Sequence, residues 1–431
     1  MIGQDVLYWI WLANKCGVAS KYFDRLIFKY DDPFDIYNLD ENEIQQLENV
    51  SDKLKEKLCE KDLEEAYDII KYCKKNGVDI VTYKDKRYPE RLRLMTDPPI
   101  VLYCKGWFPN FNDLLCVGVV GTRKMSEYGK QSSYKIAYEL AGAGALIVSG
   151  MALGIDGVAA CAALSAGGRT VAVLGCGIDT VYPKQHKALM EQIVRHGAVI
   201  TEYPPFEPPH GYNFPKRNRI ISGLCQGVVI AEASVGSGAL ITARTAIDQG
   251  KQVFAIPGKI NDAGAEGPNS LIREGAYPVL CGEDVFKQYE FLYSDAIDKK
   301  GYEKAKARIP NPDIALKKYG LEYAIGSKTA KIEAQEKKAE KTDNIKNIKN
   351  EKKSEDVSAN VEQKSEISSE VMGLLDDITK RIFKSLPYDR SVTLDELVDE
   401  GVEVSTVITS LTMLELYGLV TSLPGGLYIR K

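Results

Sequence analysis

Histidine is scarce in this chain: there are three in 431 residues, at positions 186, 196 and 210, none spaced with cysteine as a zinc site requires. Cysteine occurs nine times, an odd count, and never as C-x-x-C. Segments such as LLCVGVV and VLGCGID set most of these thiols among apolar neighbours, which favours buried thiols in a reducing compartment over a disulfide framework. No apolar run approaches the length that crosses a bilayer, and the opening MIGQDVLYWIWLANK has neither a basic lead nor a cleavage motif. The expectation is a cytoplasmic protein with no membrane insertion and no metal. An excess of either charge is also lacking: the net charge is −4, so any surface for a polyanion has to be local.

What is present is 44% apolar residues, enough for real cores, and a length that suits two to four domains. Residues 1–100 read as a helical domain, with amphipathic runs such as DVLYWIWLANK and DKLKEKLCEKDLEEAYDIIKYCKKNG, the second stopped by Gly77. A short VDIVTYKD strand follows them. Within 101–296, most clearly from 113 to 283, seven apolar runs of strand length alternate with helical patterns: LLCVGVVG, ALIVSG, TVAVLG, AVITEYP, GVVIAEA, QVFAIPG and PVLCG. Strands that are apolar on both faces and followed by helices predict an α/β fold with a doubly wound, mainly parallel sheet. Residues 297–368 lose this pattern, and their polar, charged composition predicts a flexible linker. A compact tail resumes at 369–431. Its helical patterns EVMGLLDDITKRIFKSL, TLDELVDEG and STVITSLTMLELYG, followed by a Pro-Gly-Gly hairpin, have the order of a winged helix.

An open α/β sheet binds ligands beyond the carboxyl ends of its strands. The loops expected there carry Gly121, Thr122 and Arg123; Ser149, Gly150 and Gly154; Gly175, Gly177 and Lys184; and Ser237 and Gly238. Small residues let backbone N–H groups approach phosphate, and several such loops joined by cations predict an anion-binding rim. A lone glycine there would be only a turn. Asp156 and Asp179 read as helix caps, and Glu202 and Glu207, beside a proline-rich loop, read as solvated. Neither G-x-G-x-x-G nor G-x-x-x-x-G-K-[ST] occurs, nor does a nucleophile elbow or a Cys–His pair. The rim therefore suits phosphates but shows no catalytic machinery and no cofactor fingerprint.

One stretch of that rim stands out. FPKRNRIISGL (214–224) sets Lys216, Arg217 and Arg219 around Asn218 with no acid, at what reads as a helix start. Cations are unfavourable near a helix N-terminus, so an anion bridging N–H groups and guanidinium groups would resolve the conflict. Phe214 has two readings: a hydrophobic staple on its own helix, or a platform on which a nucleic-acid base stacks beside the cations.

Taken together, GTR at 121–123, SGMALGID at 149–156, AVLGCGIDTVYP at 172–183, EYPP at 202–205 and FPKRNRIISGL resemble the DNA-processing protein A (DprA/Smf) family. EAS…SGALITA at 232–243, VFAIPG at 253–258 and GPNSLIREGA at 267–276 extend the resemblance in order and spacing. It implies an extended Rossmann-like domain flanked by a helical, SAM-like N-terminal domain and a C-terminal winged helix. It also implies non-catalytic, sequence-independent binding of single-stranded DNA, a homodimer, and loading of RecA during natural transformation. Carried over to this chain, the DNA contacts would fall on Arg123, Lys184 and the Phe214–Arg219 motif. Dimer contacts would come from the late part of the domain, where Leu271, Ile272 and Tyr277 could form a self-complementary patch. The same three residues also fit a helix packed on the sheet.

The rival reading is a nucleotide-processing enzyme of the lysine-decarboxylase-like (phosphoribohydrolase) families, whose signature is P-G-G-x-G-T-x-x-E. The corresponding loop, EASVGSGALITA, lacks both the Pro-Gly-Gly and the acid after the glycines, and Pro424-Gly425-Gly426 falls in the tail hairpin. A transcription factor built on the winged helix is disfavoured by charge. Its presumed recognition helix, 405–417, holds Glu415 and no Lys or Arg, which points to a protein-interaction module.

Overall fold

In a computed structural model of the chain, the apolar stripes of the first hundred residues wind into helices α1 (Gln4–Cys16), α2 (Phe23–Tyr30), α3 (Pro33–Asn38), α4 (Glu41–Gln45), α5 (Asp52–Cys59) and α6 (Glu64–Asn76). Asp40 and Glu43 close a capping box on α4, and Gly77 ends α6 in the left-handed conformation at φ 62°. The structure describes residues 4–323, 377–387, 392–393, 397, 404–416, 419–423 and 427–430, and the chain divides into two units, Met1–Ile332 and Glu333–Lys431.

In the first unit, β1 (Asp79–Thr82), α7 (Glu90–Arg93) and β2 (Val101–Gly106) lead into the alternating region. That region runs β3 (Cys116–Val120), α8 (Glu127–Gly142), β4 (Leu146–Ser149), α9 (Ile155–Ser165) and β5 (Thr170–Val173). It continues through α10 (Lys187–His196), β6 (Ala198–Thr201), α11 (Asn213–Leu224), β7 (Gly227–Ile230), α12 (Gly238–Asp248) and β8 (Gln252–Ala255). Next come α13 (Glu266–Arg273), β9 (Tyr277–Pro278), α14 (Gly282–Phe286), α15 (Lys299–Ala307) and α16 (Pro312–Lys318). The strands form one nine-stranded sheet in the order β1-β2-β6-β5-β4-β3-β7-β8-β9. It is parallel from β6 to β9, while β2 runs antiparallel to both β1 and β6.

Alternation along the strands builds two cores. Val117 and Val119 of β3 face the layer that holds α8, α9 and α10, and Cys116 and Val120 face the layer that holds α7, α11 and α12. This is the doubly wound α/β architecture expected from the sequence, with four differences. The sheet crosses the boundary expected at residue 100, because β2 pairs with β1 on one side and with β6 on the other. The expected strand PVLCG shortens to Tyr277–Pro278, where proline has no N–H to extend a ladder. The presumed linker is helical at its start: α15 and α16 lie against α8 and α9 through buried Tyr302, Ala305 and Leu316. Leu271 is core rather than surface, 6% exposed on the sheet; Ile272 is half-buried, and Tyr277 is exposed on the edge strand.

The second unit contains α17 (Asp377–Ser385), β10 (Val392–Thr393), α18 (Val404–Leu416), β11 (Val420–Leu423) and β12 (Leu427–Arg430). Its antiparallel sheet has the order β10-β12-β11, over a core that includes Phe383, Val407, Leu411 and Leu414. The expected TLDELVDEG helix lies largely outside the described residues. The Pro-Gly-Gly turn and residues 324–368 lie wholly outside them.

Candidate functional site

The order in which strands are added reverses at β3 and β7, which are parallel neighbours: successive strands are laid on one side of β3 up to β6, and the chain then crosses to β7 on the other side. In such a sheet the loops diverge at that point and leave a crevice. A cleft of about 310 Å³ lies there, lined by Gly121, Arg123, Asp156, Phe214, Arg217, Ser237 and Gly238, among others. Ser237 caps α12, its hydroxyl accepting from the Ala239 N–H at 3.3 Å.

Phe214 sits at the mouth. Its half-buried ring stacks on Tyr182, with centroids 5.2 Å apart and planes at 27°, and the exposed Arg123 guanidinium lies 5.4 Å from the ring centroid. Phe214 is the second residue of α11, and Gly211 occupies the position that a staple would need, so the staple reading fails. Lys184, two residues beyond Tyr182, and Lys216, two beyond Phe214, are both exposed.

The other two cations of the stretch point inward, correcting the expectation of a continuous phosphate-binding cluster. Arg217 is 4% exposed; its Nη1 donates to the Gly150 carbonyl at 2.8 Å and to the Val173 carbonyl, and its Nε donates to Asn218 at 3.1 Å. Carbonyls at the carboxyl ends of β4 and β5 have no further strand to bond, and this guanidinium satisfies two of them. Burial pulls the Arg217 guanidinium below the ordinary arginine range, while nearby Asp156 favours its charge. Arg219 is 5% exposed and held by the Glu202 carboxylate, by Asp97 Oδ2 at 3.3 Å and by the Asp97 carbonyl at 2.6 Å. Glu202, expected in solvent, is therefore buried; burial raises its pKa and Arg219 opposes the rise.

A family model described as DNA recombination-mediator protein A matches residues 79–290, and one described as the DprA winged helix domain matches residues 374–426. The DNA processing protein DprA of Bacillus subtilis is 36% identical over 241 residues, which is 55% of this chain and 81% of that protein. The protein of the same name from Streptococcus pneumoniae is 46% identical over 210 residues, 48% of this chain and 73% of the relative. This chain belongs to the DprA/Smf family. An X-ray structure of DNA processing protein A (DprA) from Streptococcus pneumoniae covers 65% of this chain and 97% of its own, at 36% identity and a TM-score of 0.58.

The DprA match spans every rim residue expected from the sequence, but the rim glycines do not all serve as imagined. Gly121, Gly150, Gly154, Gly175 and Gly177 each have protein atoms less than 3.0 Å from where a Cβ would stand. At Gly154, φ is 77° and a Cβ would lie 2.4 Å from the Thr122 carbonyl oxygen; at Gly175 it would lie 2.8 Å from the Phe214 ring. These glycines let loops and ring close on one another, whereas Gly238 faces open space. Ser149 is 1% exposed and donates to the Val119 carbonyl, and the Thr122 N–H donates to the Glu232 carbonyl, so both stitch the rim together.

The expected caps also differ. Asp156 Oδ2 accepts from the N–H groups of Gly150 at 3.0 Å and Ala152 at 3.3 Å, fastening the loop ahead of α9. Burial raises its pKa, and Arg217 counters this. Exposed Asp179 takes the Phe206 N–H rather than a helix end, and half-buried Glu207 accepts from Asn213 at 3.4 Å. The stacking role of Tyr182 was not foreseen; the aromatic directly after a strand-end loop was its only signal. Beneath the rim, His186 is fully buried between the Met151 carbonyl, 3.0 Å from Nδ1, and the Tyr323 hydroxyl, 2.9 Å from Nε2. Burial pushes its pKa down to about 4, so the neutral ring accepts the Tyr323 proton at Nε2.

Proposed function

We propose that this protein binds single-stranded DNA without sequence preference along the carboxyl rim of its sheet, as a non-catalytic recombination mediator. The observation that carries this is the Phe214 platform: a ring open to the crevice, stacked on Tyr182, with Arg123 over it and Lys184 and Lys216 exposed close by in the chain. Every base has a π-face, so an aromatic ring among cations holds a single strand whatever its sequence, while a duplex hides those faces. Glu232, the acid next to the β7 loop, is 7% exposed and accepts the Ser126 N–H at 2.8 Å, which supports a structural role over catalysis.

The description of the matching family as a recombination mediator supports delivery of the strand to RecA in the cytoplasm during DNA uptake. Edge strand β9, with Tyr277 exposed on it and Leu280 exposed just beyond it, supports a homodimer joined through that border. The test is fluorescence anisotropy with single- and double-stranded oligonucleotides of equal length, from about 50 to about 200 mM salt. Single strands should bind more tightly, with a log–log salt slope of about −0.7 for each phosphate neutralised. Equal affinity for duplex, or a flat salt dependence, refutes the reading.

A further inference from the structure

The loop between β6 and α11 displays two exposed aromatic side chains, Phe206 and Tyr212. Tyr212 is 63% exposed, yet its ring lies flat against His210, centroids 5.2 Å apart and planes at 12°, with Lys216 Nζ 5.8 Å from the same ring. Phe206 is 66% exposed and is held at φ 73°, a left-handed conformation that its Cβ disfavours. Its ring meets Tyr72 of α6 edge-on at 4.8 Å, and the exposed Lys75 stands one turn further along that helix.

The loop is fastened where it displays these rings. The Phe206 N–H donates to Asp179 at 2.6 Å, and the Gly177 N–H donates to the Glu207 carbonyl at 2.8 Å. A cleft of about 300 Å³ opens beside Tyr212 and Lys216, separate from the one that Phe214 borders, so the start of α11 divides the two.

We infer that the β6–α11 loop is a second stacking station for single-stranded DNA, centred on Tyr212 and Lys216 and continuing toward Phe206. The inference rests on the single-strand reading of the Phe214 cleft. It adds a direction: the strand passes over the start of α11 toward the N-terminal helices. Glu65 and Glu207 line the second cleft and repel phosphate, so the backbone runs on the Lys216 side with its bases against the rings. The pairing of exposed aromatic and cation at Tyr212 repeats the chemistry of the first station two residues away, which is why the occupant is the same strand.

The test measures affinity for oligothymidylates from about 4 to about 16 nucleotides, using wild type, Tyr212→Leu, Tyr212→Phe and Phe214→Ala. Tyr212→Leu should bind the shortest oligonucleotides as wild type does and lose about fivefold or more on the longest, the lower bound for one stacked base. Tyr212→Phe should restore long-strand affinity, because it keeps the ring. Quenching of Tyr212→Trp fluorescence by long but not short strands is the independent readout. Wild-type affinity of Tyr212→Leu at every length, while Phe214→Ala weakens throughout, overturns the second station and leaves the first standing. A loss equal at all lengths would merge Tyr212 into the first station and also overturns the inference. If wild type binds no single strand, both readings fall together.

Discussion

Replacing Arg217 with alanine separates a scaffold cation from a DNA-binding one. The side chain is 4% exposed and makes two hydrogen bonds to carbonyls at the ends of β4 and β5, beside buried Asp156. Each charge-assisted bond is worth about 1.5–3 kcal/mol, so the truncation should cost on the order of 3–6 kcal/mol, less whatever an entering water recovers. In a domain of this size that is a fall in Tm of roughly 5–10 °C. Arg123→Ala is the control: its guanidinium is exposed and contributes about 0.5–1 kcal/mol over the Phe214 ring, so Tm should barely move. Circular dichroism melts and salt-titrated DNA anisotropy on both variants give opposite signatures. Arg217→Ala should lose stability, and Arg123→Ala should lose affinity together with about 0.7 of the salt slope. An Arg217→Ala protein that melts like wild type but binds DNA with a shallower salt slope would refute the scaffold assignment.

His186 makes stability depend on pH. Its folded pKa of about 4 lies below the ordinary 6.5, so between those values the unfolded chain binds more protons than the folded one. Stability should therefore fall by about 3 kcal/mol as pH drops from 6.5 to 4 and lose nothing more through this residue below that; urea midpoints that fall no more steeply for wild type than for His186→Gln across this window would contradict it. Truncation tests the extent of the first unit. Ending the chain after residue 332 should leave single-strand affinity within a few-fold of wild type, whereas ending it after 295 removes buried Tyr302, Leu316 and the Tyr323 hydroxyl and should lower Tm by several degrees. Matching melts of the two truncations would show that α15 and α16 add no stability.

The sheet was legible because its strands are short, apolar on both faces and punctuated by glycine, and the exposed cations were legible because loops at strand ends have few other roles. The fates of Arg217 and Arg219 were harder to read. A cluster of cations in sequence does not state which face of a helix each occupies. One signal was present: 217, 220, 221 and 224 follow the spacing of a buried helical stripe, which places Arg217 among Ile220, Ile221 and Leu224 on the inward face. Nothing local marks Arg219, whose partners Glu202 and Asp97 come from the loop just after β6 and from the loop after α7. The segment VLYCKG became β2 through pairing with β6, a long-range relation that no short window reveals. The glycines misled for a related reason: a residue without a side chain admits phosphate and a neighbouring loop equally well, and at Gly154 and Gly175 the neighbour is the protein itself.

The antiparallel seam β1-β2-β6 orders events while the chain is being made. β2 pairs with a strand about 100 residues later in the chain, and the Ala19 N–H donates to Glu202 just beyond that strand, so the N-terminal helices bond to a surface that does not exist when they emerge. At about 5–20 residues per second, the ribosome leaves them without that surface for on the order of ten seconds. During this interval Trp9, Ile10 and Leu12, all buried in the finished protein, depend for cover on the neighbouring helices and on the β1–β2 pair, where Tyr83 meets Trp9. The seam thus leaves the N-terminal helices, synthesised ahead of the alternating region, waiting on one of its middle strands for their last contacts.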